Sequence, residues 1–476
     1  MPGAPAKRIV LAGLGPYSRT MYYPLLERYQ SAGRLTIDTV VDLESQRDIV
    51  EKYLAGRSLQ PRRVVLVPDA GDSSALADAL DGADPLRETP AWGCIVATEP
   101  RAHRAYVEWA VRRGMHVLLE KPVTARDLRE KGPEEALRLV DDQLFLAELA
   151  EKNGVTVVVQ AQRRAHPAYR MVKEILAEVV GEYGIPVTYL DIHHSDGTWN
   201  MPWEFVSRDG HPYKYGYGKL LHSGYHFVDL FCWLTEVNRG CARPPDRLGL
   251  DVSAVDARGV DAQLTDAAYA RLFGRERWGR FSGLPRPASV PEQLWGETDV
   301  VLLARLMHGP DVVTTAVLTL LQSSLSGRSG LELPEDTYKG NGRVRHERVT
   351  LQVGPLMTIR VDSCQDARPA GGRSPFDVVV YRNRGLIGGE AVSRVRIRTP
   401  DAAADAASDS LNDRAREEIF RDFLALDGRR SGLALHGTTV RVLAAAVAGV
   451  ARAARGGSGR SVVALDPSVR EWYRAE

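Results

Sequence analysis

The chain has 476 residues, of which 44% are hydrophobic, and its 62 Lys and Arg residues against 61 Asp and Glu residues leave a formal net charge of +1. This length supports a large buried core in two or more domains. A nearly neutral charge excludes a global field that attracts nucleic acid or an anionic membrane, so we expect a small-molecule partner, no nucleic acid and no membrane. No apolar run approaches the ~18 residues of a membrane span. The four cysteines form no CxxC pair, which favours a reducing, cytoplasmic location.

In the first third of the chain, short apolar runs alternate with segments of helical periodicity. The apolar runs predict strands at residues 7–12, 35–41, 63–67, 93–97, 115–119 and 155–160. The periodic segments predict helices at residues 22–29, 103–113 and 137–153. This alternation is typical of a doubly wound parallel sheet, whose ligand crevice lies at the carboxyl ends of its strands. We therefore predict an α/β domain over residues 1–160.

From residue 161 onward the pattern changes to strands with few helices between them. We predict a helix at 166–180 and strands at 187–194, 299–307, 311–321, 348–353, 357–361 and 377–381. This order predicts an α+β domain over 161–476, built on a large, mainly antiparallel open sheet. Residues 239–297, rich in Pro, Gly, Arg and Asp, read as an insertion, and 369–374 as a surface loop. Two periodic helices close the chain, at 411–426 and 436–455.

A glycine-rich turn joins the first strand to the first helix. It reads Gly13-Leu14-Gly15-Pro16-Tyr17-Ser18. Glycines at this junction let the backbone approach the pyrophosphate of a dinucleotide, and the small Ser18 keeps helix and strand close. Asp42 ends the second strand, where a carboxylate accepts the adenosine ribose hydroxyls and repels a 2′-phosphate, which favours NAD. Arg47, five residues on, offsets that preference and keeps NADP as the alternative.

The tripeptide Glu120-Lys121-Pro122 follows a predicted buried strand directly. This position brings Lys121 to the carboxyl edge of the same sheet, where an ammonium can hydrogen-bond a substrate oxygen. In isolation, a surface ion pair of Glu120 and Lys121 would explain the tripeptide equally well.

Together these motifs resemble the Gfo/Idh/MocA family of glucose–fructose oxidoreductase and inositol dehydrogenase relatives, and the resemblance covers nearly the whole chain. It implies a Rossmann dinucleotide-binding domain, a substrate-binding α+β domain, NAD(P) as cofactor and a homo-oligomer, either a dimer or a tetramer. Thr98, Glu99 and His103 resemble the family's loop beside the nicotinamide. Arg164 belongs to the segment that resembles the entry to the second domain and is a candidate substrate contact.

The family's Gly-rich stretch with Asp-x-Gly-x-His-x-x-Asp is similar to residues 218–229. That match implies Lys121 and His226 as the catalytic pair and Asp229 as a structural helix residue. One position departs from the pattern, because His222 stands where the family has aspartate. The resulting His-xxx-His spacing could ligate a metal, but we expect no metal and interpret His222 as a second histidine of the catalytic site.

The resemblance implies hydride transfer between nicotinamide and a hydroxyl or keto carbon of a sugar, sugar-nucleotide or cyclitol, with His226 moving the hydroxyl proton. Further candidate substrate contacts are Asp191 and His193, which share one face of a predicted strand, and the aromatic residues Trp199 and Tyr225. For all four, solvent exposure or core packing is the alternative. Two other functions stay open, namely NAD-dependent glycoside cleavage through transient oxidation and a non-catalytic sensor or partner that keeps the fold.

Overall fold

The computed structural model describes residues 6–69, 73–82, 91–129, 132–209, 211–290, 293–329, 331, 342–366, 375–398, 410–466, 469 and 471–476. The predicted loop at 369–374 lies outside these residues. The chain divides into two compact units. The first comprises Met1–Ala125, Leu139–Ala165 and Ala415–Val440, and the second comprises Arg126–Arg138, His166–Arg414 and Arg441–Glu476. These units differ from the predicted 1–160 and 161–476 domains chiefly because residues 415–440 return to the first unit.

The first unit contains a six-stranded parallel sheet in the order β3-β2-β1-β4-β5-β6. Its strands are β1 (Lys7–Ala12), β2 (Leu35–Leu43), β3 (Arg63–Val67), β4 (Gly93–Val96), β5 (His116–Leu119) and β6 (Val157–Val159). The helices up to residue 152 are α1 (Pro16–Thr20), α2 (Tyr22–Ser31), α3 (Arg47–Ala55), α4 (Ser73–Gly82), α5 (His103–Arg112) and α6 (Pro133–Lys152). The strand order reverses between β1 and β4, so their carboxyl ends flank the crevice that such sheets use for ligands.

The second unit contains a ten-stranded sheet, which is antiparallel except where β7 pairs with β10. Its strands are β7 (Tyr189–Ser195), β8 (Arg247–Asp256), β9 (Glu297–His308), β10 (Asp311–Leu321), β11 (Val344–Val353), β12 (Met357–Asp366), β13 (Phe376–Arg382), β14 (Val392–Ile397), β15 (Arg460–Ala464) and β16 (Tyr473–Ala475). The remaining helices of the chain are α7 (Pro167–Tyr183), α8 (Pro202–Ser207), α9 (Tyr225–Thr235), α10 (Ala257–Gln263), α11 (Asp266–Phe273), α12 (Arg275–Gly279), α13 (Arg384–Ile387), α14 (Leu411–Ala425) and α15 (Gly437–Ala453). The predicted fold class is confirmed.

The predicted insertion at 239–297 contains a strand of the large sheet. Strand β8 pairs with β9 on one side and β15 on the other, so the inserted part narrows to the residues that follow β8. Helices α10 to α12 lie in that part, and rings of α11 and α12 pack around Met201 and Leu331. Apolar and small or polar residues alternate in β8, which is the period-2 pattern of a strand, but the Pro, Gly, Arg and Asp content of the whole segment favoured an insertion.

Helix α14 contributes to the core of the first unit, although it lies far from that unit's other segments in sequence. Ile419, Phe420 and Phe423 are fully buried against residues of β1, β2 and α2. The segment Leu433–Ala453, which includes α15, is apolar and long enough to cross a membrane by composition. That finding corrects the expectation that no such run exists, but 72% of its apolar window is buried inside the protein, as in the core helix of a folded domain.

Candidate active site

The two glycines of the first turn have different surroundings. Gly13 has φ +90°, and a Cβ built on it would lie 2.6 Å from the carbonyl oxygen of Ala97. Its amide also donates to the carbonyl of Val41 at 2.8 Å, so Gly13 joins the ends of β1, β2 and β4. Around Gly15, in contrast, nothing lies within 4 Å of a built Cβ. The backbone there borders an open space that a side chain would fill, which fits the approach of a pyrophosphate.

Asp42 stands at the end of β2, as predicted, and organises the glycine turn. Its Oδ2 accepts from the amide of Leu14 at 2.7 Å and its Oδ1 from that of Leu43 at 2.8 Å. Burial raises the pKa of Asp42 above its usual value, although these two hydrogen bonds lower it. Arg47 is exposed and bonds to Glu44 and Glu51, so its guanidinium is already engaged by carboxylates.

The remaining residues of the turn pack tightly. Pro16 is exposed at the first position of α1, whereas Ser18 is fully buried, as a small third residue requires. The ring of Tyr17 lies 5.8 Å from that of Tyr22, edge to face. The guanidinium of Arg416, on α14, lies 5.7 Å from the Tyr17 ring centroid. Arg416 was not predicted, because no local pattern connects it to a turn 400 residues away.

A buried histidine joins the loop after β4 to the turn after β5. The ring nitrogens of His103 lie 2.9 Å from the carbonyl oxygen of Pro122 and 3.2 Å from that of Thr98. Burial lowers the pKa of His103 to about 4, so it is neutral near pH 7. Glu99 caps the short turn that follows, accepting from the amide of Arg101 at 3.1 Å. A neutral imidazole has one N–H, so His103 donates to one of these two carbonyls and contacts the other loop without a second hydrogen bond.

The Glu-Lys-Pro tripeptide follows β5, and its Lys121–Pro122 peptide bond is cis. Glu120 is buried, and its Oε1 accepts from the hydroxyl of Tyr22 at 2.5 Å. Burial raises the pKa of Glu120, against the opposing charges of Lys121 and Arg416. Lys121 is half-buried. Because Glu120 is directed into the protein toward Tyr22, a surface ion pair does not describe this tripeptide.

In the second unit, one candidate histidine lies in the turn before α9 and the other at the start of that helix. His222 is buried, and its ring lies 4.9 Å from His211, 5.3 Å from Tyr213 and 5.7 Å from Tyr217. His226 lies in the first turn of α9 and is 9% exposed. Asp229 is fully buried further along the same helix. The aromatic surroundings of His222 were not predicted from the sequence.

The same turn carries a fully buried lysine that the sequence analysis did not single out. Lys219 Nζ lies 2.6 Å from Asp196 Oδ2, 2.8 Å from the carbonyl oxygen of Leu321 and 3.1 Å from His194 Nδ1. On its other side, the amide of Lys219 donates to the carbonyl of Glu297 at 2.7 Å. An ammonium has three donors, so these three partners account for all of them.

The predicted substrate residues have varied surroundings. Asp191 and His193 are half-buried, on the face of β7 opposite the buried His194, and Asp191 pairs with Arg348 at 3.4 Å. Arg164 is buried and donates to the carbonyls of Arg430 and Leu435, both at 3.3 Å. Contact of Asp191, His193 and Arg164 with the substrate stays a prediction.

The two aromatic candidates are engaged in packing. Trp199 stacks on Phe273, of the inserted segment, with ring centroids 5.5 Å apart. Tyr225 is fully buried and its ring lies 6.3 Å from that of His226.

Within the part of the chain that the structure describes, no three His, Cys, Asp or Glu side chains converge as metal ligands.

Residues 87–161 match the model of the Gfo/Idh/MocA family, which is described as an oxidoreductase family with an NAD-binding Rossmann fold. Over these residues the match confirms the resemblance to that family recognised from the sequence. The six-stranded sheet with its open space at Gly15 is that fold, and the prediction of an NAD(P)-dependent oxidoreductase is confirmed at the level of the family. A comparison with curated protein sequences gives no significant match.

Solved structures share the fold over nearly the whole chain. An oxidoreductase from Agrobacterium radiobacter, solved with NAD+, L-tartaric acid and magnesium, is 13% identical with a TM-score of 0.55, over 96% of this chain and 98% of that one. The WlbA dehydrogenase from Bordetella pertussis, solved with NADH and UDP-GlcNAcA, is 14% identical with a TM-score of 0.53, over 97% and 99%. KijD10, a 3-ketoreductase from Actinomadura kijaniata solved with NADP, is 12% identical with a TM-score of 0.52, over 92% and 96%. At these identities the likeness shows the fold alone.

Proposed function

We propose that the protein is an NAD-dependent dehydrogenase or ketoreductase that acts on a carbinol or keto carbon of a sugar, sugar-nucleotide or cyclitol. The observation that carries the proposal is the open space at Gly15, beside the Asp42 carboxylate and at the strand-order reversal of a family-matched Rossmann sheet. The substrate class is supported by WlbA, solved with a sugar nucleotide, and by the 3-ketoreductase KijD10.

In this proposal two side chains supply the catalytic groups. A bound nicotinamide supplies the acceptor or donor of hydride. The ammonium of Lys121 hydrogen-bonds the substrate oxygen and stabilises the negative charge that develops on it. His226 takes the hydroxyl proton when the substrate is oxidised and returns it when the substrate is reduced, because an imidazole titrates near neutral pH. The neutral His103 lies between the Lys121 turn and the loop after β4, with its single N–H available to one of their two carbonyls.

Two further properties belong to the proposal. Exposed apolar residues on one face of β9, Val301 and Leu303 at 38% and 50% exposure, favour a homo-oligomer formed through the large sheet. The four cysteines, all of them among the described residues, form no disulfide, which supports a cytoplasmic location.

The experiment is a fluorescence titration with NADH and NADPH, followed by a sugar, sugar-nucleotide and cyclitol panel read at the nicotinamide absorbance. We expect NADH to bind more tightly than NADPH, and Asp42→Ala to weaken NADH binding more than NADPH binding. Lys121→Met and His226→Gln should each lower kcat by about a hundredfold or more, whereas His346→Gln, on β11, should not.

The outcomes separate the alternatives. Absence of dinucleotide binding contradicts the proposal. If the cofactor is retained through purification and glycosides are cleaved without net formation of NADH, the transient-oxidation mechanism replaces the proposal. Dinucleotide binding without turnover of any panel member, and without response to Lys121→Met, supports a sensor.

A further inference from the structure

The turn that carries His222 and leads into α9 is anchored to a buried carboxylate on a different part of the chain. Asp196 directly follows β7 and is 2% exposed. Its Oδ2 accepts from Lys219 Nζ at 2.6 Å and also from the hydroxyl of Ser223. Its Oδ1 accepts from the guanidinium of Arg343, which in turn donates from Nε to the Asp196 carbonyl at 3.1 Å. One carboxylate therefore receives three side-chain donors, two of them from the 218–224 turn.

The charges of this cluster support a persistent ion pair. Burial raises the pKa of Asp196, but the charges of Lys219 and Arg343 outweigh it and hold that pKa well below its usual range, whereas burial lowers the pKa of Lys219 in spite of the Asp196 carboxylate beside it. Lys219 is fully buried and its three donors are used within the protein. Removal of one partner of a buried, hydrogen-bonded ion pair strongly destabilises a protein, because the other charge is left buried and uncompensated. The cluster therefore holds its geometry firmly and leaves no lysine donor for substrate.

The backbone of the turn reinforces this anchor. The amide of His222 donates to the carbonyl of Gly218 at 2.9 Å, and that of Gly224 to the carbonyl of Lys219 at 2.8 Å. Ser223 stands between His222 and the start of α9, one helical turn before His226. Residues 216–228 contain no carboxylate of their own. Asp196 contacts this turn through the side chains of Lys219 and Ser223, whereas the carboxylate of Glu297 contacts its backbone, accepting from the amide of Leu220 at 2.8 Å.

We propose that Asp196 is a positioning residue for His222 and His226, that it acts on the turn through the Ser223 hydroxyl, and that Lys219 is its fixed counter-ion. This inference rests on the proposed function, because it assigns the role of the cluster in catalysis by His226. Misplacement of a catalytic group by about 1 Å can cost about a hundredfold in rate, so loss of the Ser223 link should lower turnover even though no charge is removed.

The test compares Ser223→Ala with Ser461→Ala as the control. Ser461 is a buried serine in β15 of the ten-stranded sheet. We expect Ser223→Ala to lower kcat by about tenfold to a hundredfold, with an unchanged Kd for NADH and a Tm close to that of the control. Ser223→Thr, which keeps the hydroxyl, should restore kcat. A Ser223→Ala enzyme with wild-type kcat and wild-type pH profile overturns the inference.

A second readout needs no turnover and separates this inference from the proposed function. The ring-proton resonances of His222 and His226, assigned by NMR with His222→Gln and His226→Gln, should shift in Ser223→Ala and not in Ser461→Ala. If the wild-type protein turns over no substrate, the proposed function has failed, and these resonances alone decide the positioning role. Unchanged resonances in a folded Ser223→Ala protein refute it.

Discussion

Substitution of each glycine of the first turn by alanine separates the structural glycine from the ligand-facing one. In Gly13→Ala, a φ of +90° costs about 1–2 kcal/mol for an L-residue. The added Cβ would lie 2.6 Å from the Ala97 oxygen and 2.9 Å from the Thr98 amide nitrogen, and overpacking against backbone adds about 1–3 kcal/mol. The free energy of unfolding should therefore fall by about 2–5 kcal/mol in total.

Gly15→Ala should behave in the opposite way. Gly15 has φ −65° and ψ 178°, which any residue adopts, and a built Cβ meets nothing within 4 Å. Its free energy of unfolding should change by less than about 1 kcal/mol. The methyl group occupies the space assigned to the pyrophosphate, so the Kd for NADH should rise at least about tenfold, which equals about 1.4 kcal/mol.

The assays are urea unfolding without ligand and NADH titration by fluorescence, on both variants and the wild-type protein. The reasoning fails if Gly15→Ala binds NADH as tightly as the wild-type protein, since the open space would then not be where the dinucleotide binds. It also fails if Gly13→Ala unfolds at the wild-type urea concentration, because the close approach of β1 and β4 would then tolerate a side chain.

Two further substitutions test the buried groups. Burial raises the pKa of Glu297 from 4.5 to about 7, so the folded protein binds a proton at this carboxyl more tightly than the unfolded chain does. This difference stabilises the fold fully below pH 4.5 and is lost as pH rises through 7. At about 1.4 kcal/mol per pKa unit, the contribution to the free energy of unfolding amounts to about 3 kcal/mol. Urea unfolding at pH 5 and pH 8 should show a smaller loss of stability in Glu297→Gln than in the wild-type protein, and equal losses would contradict the assignment. Phe423→Ala should cost about 3–5 kcal/mol in thermal or urea unfolding, because the ring is fully buried in the first unit's core. Leu435→Ala, at a position 47% exposed, is the control, and a similar small effect for both would refute the place of α14 in that core.

Local patterns in the amino-acid sequence were sufficient for most elements of the fold. The predicted strands at 7–12, 63–67 and 311–321 coincide with β1, β3 and β10. Apolar runs bounded by glycine, proline or charged residues are local features, so these strands can be recognised without knowledge of their partners in the sheet. The glycine turn, Asp42 at the end of β2 and Lys121 after β5 follow from the same strand ends, because parallel strands bring their carboxyl ends to one edge of the sheet.

Other features depend on residues far apart in the chain. Tyr22 bonds to Glu120 across 98 residues of sequence, and Arg343 reaches Asp196 across 147. Helix α14 was predicted from its periodicity, but periodicity says only that one face is buried and not which core covers it. Lys219 likewise reads as a surface residue, since an isolated lysine is rarely buried. Its burial depends on Asp196, and two charges separated in sequence become mutually stabilising only when the fold places them 2.6 Å apart in the same core.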